Sequence, residues 1–239
     1  MPPPDFLLIG GLAALLGAIV QGSVGLGVGL VATPIVTMLF PDLMPGAILV
    51  TALALPVATL AQEVRHAELR GLGWAFGGRL IGTPVGVWLV AAAPDRVLGV
   101  AIGVIVLAAL AVTTWAREVP RNRRTLAVAG VISGTTGTAS GIGGPPIALL
   151  YQRESGPRVR ATLAVFFIAG ALLSLATLAA AGRLPARQVT AGLELLPFVL
   201  AGFLAAGPLR RYLDAGRLRL ALLIVVGASA TVLIVRNLV

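Results

Sequence analysis

Apolar runs separated by short charged breaks fall at about 6–40, 43–62, 71–91, 97–116, 125–151, 159–181, 188–208 and 217–237. Six of the eight are 20 to 23 residues long, and a helix needs roughly 20 residues to cross a hydrocarbon core about 30 Å thick. Those six are read as transmembrane spans. The first run holds 35 residues without a charge; as one straight helix it would be about 52 Å long, more than tilting absorbs. It is expected to break at residues 21–29, QGSVGLGVG, where the glycines disfavour a helix. The fifth run is expected to break in the same way at 133–146, SGTTGTASGIGGPP, whose prolines can open a second helix but sit poorly inside a continuous one. Each run is therefore predicted to be a helical hairpin, with arms of about 17 residues in the first and about 13 in the second, and with helices restarting near Val28 and Pro145.

The two breaks disclose an internal repeat. Laying Gly25-Leu26-Gly27 on Gly141-Ile142-Gly143 gives an offset of 116, and Gly86 then meets Gly207, and Arg96 meets Arg217, at an offset of 121. Both halves run in the order broken hairpin, span, span with small residues, charged turn, span. The expected units are residues 1–118, with hairpin 6–40 and spans 43–62, 71–91 and 97–116, and residues 119–239, with hairpin 125–151 and spans 159–181, 188–208 and 217–237. WAREVPRNRR at 115–124 reads as the linker.

Composition agrees with a chain that lives in lipid: 58% of residues are hydrophobic and 11% charged, against roughly 25% charged in a soluble domain. The net charge of +9 comes from 18 arginines and no lysine, and their distribution orients the halves. If each broken run crossed the membrane once, the two sides would hold 9 and 8 arginines, with no bias. If each enters and leaves on one side, 13 lie on the side of 63–70, 116–125, 152–160 and 209–219, and 4 on the other, with Arg79 alone inside a span. The hairpin arrangement satisfies the positive-inside rule. It places both termini outside the cytoplasm and inverts the second half relative to the first. The predicted fold class is thus an all-α polytopic membrane protein of two inverted repeats, each a glycine-broken, re-entrant or short-span helical hairpin plus three transmembrane helices. Asp5 stands where a secretory signal would carry positive charge, so residues from 6 onward are read as mature structure.

Irregular backbone at membrane depth is tolerated where it is buried in protein or lines a wet cavity, and broken helices in inverted repeats are the pattern of secondary transporters, with the site at the midplane. Helix N-termini near Val28 and Pro145 would aim N–H groups and dipole ends at a shared centre, which favours an anion. The candidate substrate-binding residues are Gln21, Gly22, Ser23, Gly25 and Gly27 at the first break, and Thr135, Thr136, Thr138, Ser140, Gly141, Gly143 and Gly144 at the second. Against this stands a structural reading, in which Gly-x-Gly makes a close helix contact and Ser and Thr bond their own helix. Gly78, Gly82, Gly86, Gly202 and Gly207 are assigned to packing.

Ionisable residues inside a membrane are candidates for function. Arg79 lies nine residues past Arg70, about 13 Å along a helix, and can meet an anionic substrate or bond a carbonyl. Glu194 can pair with Arg79 or carry a proton, and Glu63 and His66, next to Gln62 at a span end, are the other candidates for proton coupling. No metal site, nucleotide-binding loop or catalytic motif is present in the sequence. The expectation is a non-enzyme that uses no cofactor, whose partners are a small anion and membrane lipid rather than nucleic acid, and whose composition is compatible with a homo-oligomer.

QGSVGLGVGLVATPIV at 21–36 and ISGTTGTASGIGGPPIALLY at 132–151, in halves of about 118 residues, resemble the sulfite exporter TauE/SafE family, also called the 4-toluene sulfonate uptake permease family. The resemblance covers essentially the whole chain. It implies a multi-spanning carrier of the bacterial inner membrane that moves sulfite or organosulfonates, with both motifs lining the path. A non-transporting scaffold or assembly factor, or an anion channel, stays open as an alternative.

Overall fold

Helices form wherever an apolar run meets a start or stop signal. The computed structural model describes residues 2–24, 27–115, 119–209 and 215–238, with the side-chain surroundings of 4, 22–24, 115, 207–209 and 215–222 left aside. Its helices are α1 (Pro4–Val24), α2 (Val28–Leu39), α3 (Gly46–Thr51), α4 (Ala54–Glu63), α5 (Leu72–Ala92), α6 (Asp95–Trp115), α7 (Arg123–Ser140), α8 (Gly144–Leu150), α9 (Gly156–Ala180), α10 (Ala186–Leu209) and α11 (Ala215–Leu238). Asn122 caps α7 by accepting from the Thr125 N–H while the Thr125 hydroxyl oxygen accepts from the Asn122 N–H, both at 3.0 Å. Asp5 and Asp95 place negative charge in the first turns of α1 and α6, where the helix dipole favours it.

The chain is an all-helical, multi-pass membrane protein. Among the described residues, five stretches are long and apolar enough to cross a membrane: Gly46–His66, Leu72–Ala92, Asp95–Thr114, Gly156–Ala180 and Ala186–Ala206. The sixth expected span lies in α11. Large apolar side chains such as Ile81, Trp88 and Leu204 stay exposed on α5 and α10, as helix faces against lipid require.

Both expected breaks occur, and both are shorter than predicted. Helix α1 runs through Val24 and α7 through Ser140, and the next helices restart at Val28 and Gly144. The ends at 24 and 140 and the restarts at 28 and 144 are each 116 residues apart, the offset of the sequence repeat. The hairpin arms are unequal: 21 and 12 residues in the first, 18 and 7 in the second. Tertiary packing overrides glycine's low helix propensity in α7. A Cβ on Gly78 or Gly82 of α5 would overlap the backbone of α7 at Ala127 or Val131, and one on Gly130 of α7 would overlap α5 at Ala75. The two backbones approach closely because these glycines leave room. Gly202 stands in the same relation to Leu15 of α1.

A third break went unpredicted. The span expected at 43–62 is two helices, α3 and α4, parted at Ala52–Leu53. Pro56 supplies the reason: it has no N–H for the carbonyl of residue 52, and its ring crowds that carbonyl. Pro34 and Pro84 remain inside α2 and α5 without ending them.

Apart from the two arms of each hairpin, the most extensive helix pairs are α1 with α10, α5 with α7, α6 with α11, and α4 with α9. This set is unchanged when α1, α4, α5 and α6 are exchanged with α7, α9, α10 and α11. Each hairpin's long arm therefore packs on a span of the other half, and each hairpin starts and ends on one face. Phe6 in the first turn of α1 meets Phe40 after α2, ring centroids 5.3 Å apart; Arg121 before α7 pairs with Glu154 after α8 at 3.1 Å. The first face also gathers Arg236 on the Met38 carbonyl, Gln188 on the Asp42 and Met44 carbonyls, and Arg183 on the Ala91 carbonyl. The opposite face gathers Arg121, Arg158, Glu68 and Glu154, with Arg160 bound to Glu63.

The glycine contacts carry a direct test. Gly82→Leu is expected to lower the thermal midpoint and the yield of monodisperse protein, since overpacking costs about 1–3 kcal/mol or more. Gly77→Leu, one helix position from Gly78 but with nothing within 4 Å of its added Cβ, is expected to behave as wild type. Equal behaviour of the two variants in a thermal unfolding assay would contradict the close α5–α7 contact.

Candidate functional site

Helix α2, which follows the first break, meets the second break. A Cβ on Gly29 would lie 3.0 Å from the Gly141 carbonyl oxygen, and the Thr33 hydroxyl of α2 donates to the Ser140 carbonyl at 2.9 Å. At the first break Gln21 turns back to cap the new helix, its Oε1 accepting from the Val28 N–H at 3.0 Å. At the second, Gly141 ends α7 with φ +76°, the left-handed conformation that favours glycine.

Arg79 of α5 reaches this junction. It is 3% exposed. Its Nη1 donates to the Ser133 hydroxyl oxygen at 2.9 Å, and that hydroxyl donates its proton to the Gly143 carbonyl at 2.6 Å. The guanidinium carbon lies 5.1 Å from the centre of the Phe166 ring, within cation–π range. Gly170 of α9 leaves room for the guanidinium to approach its helix, since a Cβ there would overlap it. Nε has no hydrogen-bond partner, and no described Asp or Glu pairs with the side chain.

A cavity of about 80 Å³ opens beside it. A buried water needs about 10–15 Å³ on this measure, so the space suits a small anion or a few waters. Its polar wall comprises Gln21, Arg79 and the backbone of Gly27, Gly29, Gly141, Gly143 and Gly144; Leu30, Leu49, Ala52, Pro56, Phe167 and Ala171 are apolar or small neighbours. Helix α2 begins on this wall, and N–H groups in its first turn lack intrahelical acceptors by helix geometry. The contribution expected of the second restart is smaller than predicted. Residues 145 and 146, at the second and third positions of α8, are prolines without an N–H.

Of the candidate residues, Gln21, Gly27, Arg79, Gly141, Gly143 and Gly144 line the cavity. Gly22 and Ser23 fall in the last turn of α1 with their surroundings undescribed, and Gly25 lies outside the described residues. The four hydroxyls point elsewhere. Thr135 donates to the Gly82 carbonyl, Thr136 to the Ile132 and Ile142 carbonyls, and Ser140 to the Thr136 carbonyl; Thr138 bonds Ser174. Helical continuation through Ser140 turns these side chains into braces of α7. Glu194 is half-buried on α10, is absent from the cavity wall and makes no pair with Arg79. Glu63 is bound to Arg160, and His66 is exposed, both on the face opposite the termini.

Three features escaped the sequence reading. Ser133 bridges Arg79 to the second break, Phe166 and Gly170 of α9 seat the guanidinium, and the α3–α4 break brings Ala52 and Pro56 to the cavity. Pro56 was the one visible signal, as an interior proline in an apolar run; nothing in spacing tied Gly170 to Arg79.

A family model described as Sulfite exporter TauE/SafE matches residues 10–233. No curated protein and no solved structure gives a significant match.

Proposed function

The chain belongs to the sulfite exporter TauE/SafE family, a family of membrane transporters rather than enzymes, and we propose that it carries small sulfur-containing anions, sulfite or an organosulfonate, by alternating access. Substrate binds in the cavity between the two helix breaks, against Arg79 and the first turn of α2. Rocking of one repeat against the other then exposes it to each side in turn. One observation carries this reading: Arg79 is 3% exposed, lines the cavity and has no carboxylate partner among the described residues. A buried charge is costly unless paired, and an anion in the cavity supplies the missing partner. The exchange symmetry of the helix pairs supports an inverted repeat with the site on its axis.

We place the protein in the bacterial inner membrane with both termini outside the cytoplasm, on the strength of the 13-to-4 arginine bias. The native chain has no cysteine, so single-cysteine variants report sidedness cleanly. In intact spheroplasts an impermeant maleimide is expected to label Asp5→Cys and to reach His66→Cys only after permeabilisation. The reverse pattern would invert the proposed topology.

Uptake of labelled sulfite by reconstituted vesicles tests the function. The rate is expected to saturate and to be competed by small sulfonates. Flux that stays linear with concentration marks a channel, and the absence of flux for every sulfur oxyanion marks a scaffold.

A further inference from the structure

The cavity wall holds one positive charge. Among the described residues Arg79 is the only charged side chain lining it. Other charges on the helices around Arg79 sit at helix ends. Helices α5, α2 and α8 contain no further charged residue; α7 has Arg123 and Arg124 in its first turn, and α9 has Arg158 and Arg160 in its own. Arg123 lies over the Trp74 ring, while Arg158 and Arg160 are paired with Glu154 and Glu63. Helix α4 carries Glu63 at its end, α3 carries no charge, and His66 is exposed beyond α4.

The partial charges nearby add little. The N-terminal end of α2 is worth roughly half an elementary charge, and one of its first donors, the Val28 N–H, already bonds Gln21 Oε1. The prolines of α8 remove two donors at the other restart. The same cavity is lined by Leu30, Leu49, Pro56 and Phe167, whose apolar side chains offer a second anionic charge neither a counterion nor a hydrogen bond. Such an unpaired charge is strongly disfavoured.

We propose that the species carried is a monoanion: bisulfite rather than the sulfite dianion, and a small alkanesulfonate in preference to sulfate. This rests on the transport reading above and specifies the charge state that the same site accepts. The selection lies in the cargo's own protonation, so no protein group has to titrate.

The test is influx into vesicles holding the wild-type protein. The membrane potential is clamped at zero, total sulfite is kept well below saturation, and protein-free vesicles correct for passive permeation. Sulfite is compared with methanesulfonate, a monoanion throughout, between about pH 6 and about pH 9. Sulfite influx is expected to fall about tenfold per pH unit above the bisulfite pKa, methanesulfonate influx to stay level, and sulfate neither to enter nor to compete. Sulfite influx that stays level or rises with pH, or sulfate competing as well as methanesulfonate, overturns the proposal while leaving transport intact. A parallel fall for both monoanions overturns it too, because the titrating group then belongs to the protein. Absence of influx for every anion at every pH overturns the transport reading itself, and this inference with it.

Discussion

Arg79→Met is expected to abolish anion transport while leaving the fold as stable as before or more so. Removing one partner of a buried charge pair typically costs about 2–5 kcal/mol, which corresponds to a loss of roughly 30-fold to several thousand-fold in affinity. The variant removes the only cation of the cavity wall among the described residues, so the anion loses its main partner. Stability moves the other way. In the empty protein the guanidinium is buried without a carboxylate, and its Nε has no partner. An unpaired buried charge costs stability, so an apolar side chain of similar volume in its place is expected to be neutral or stabilising. Transport lost together with an unchanged or raised thermal midpoint is therefore the expected signature. A purely structural arginine, holding α5 to α7 and α9 through Ser133 and Phe166, would give a lowered midpoint instead. Arg79→Lys keeps the charge but loses the planar fork and its fit over Phe166, and is expected to transport weakly.

Gly143→Leu is expected to remove transport by a different route. Gly143 has φ −110°, a conformation open to any residue, so backbone strain plays no part. The obstacle is space: an added Cβ lies 2.8 Å from the Ser133 hydroxyl and 3.3 Å from Arg79 Nη1. A leucine there pushes on the hydroxyl that anchors the guanidinium and extends toward the cavity that Gly143 lines. Flux in reconstituted vesicles is expected to fall at least as far as in Arg79→Met, with Gly143→Ala intermediate. Wild-type flux in Gly143→Leu would place the transport path elsewhere.

The skeleton of the fold was legible because it depends on patterns that repeat. Runs of about 20 apolar residues located the spans, and matching Gly-x-Gly steps 116 residues apart located the two places where the helices stop and restart. The arginine count set 63–70, 116–125, 152–160 and 209–219 apart from 92–96, 182–188 and the C-terminus; among the described residues the ion pairs of Arg121, Arg158 and Arg160 gather parts of the first three on one face, and residues 210–214 lie outside the described residues. The extent of each break was not legible. Propensity ends α7 early, whereas the glycines that weaken it in isolation allow backbone contact with α5, and that contact keeps it helical to Ser140.

The same effect governed the site. Arg79 stood out as the one arginine left inside a span, and it does reach the junction of the breaks. The hydroxyls of Thr135, Thr136 and Ser140 were plausible ligands only if their segment was irregular; in a helix they bond carbonyls. Ser133, one turn earlier, is the hydroxyl that meets the arginine. Its role depends on the rotation of α7 against α5, which no spacing along the chain reports.

Arg79 is proposed to bind the transported anion in the cavity between the breaks. Calorimetric titration of sulfite into the purified wild-type protein and into Arg79→Met, at matched pH and ionic strength, tests it most directly. Saturable binding to the wild type that is lost in Arg79→Met, with both proteins monodisperse and folded, is the predicted result. Equal binding to the two proteins would contradict it.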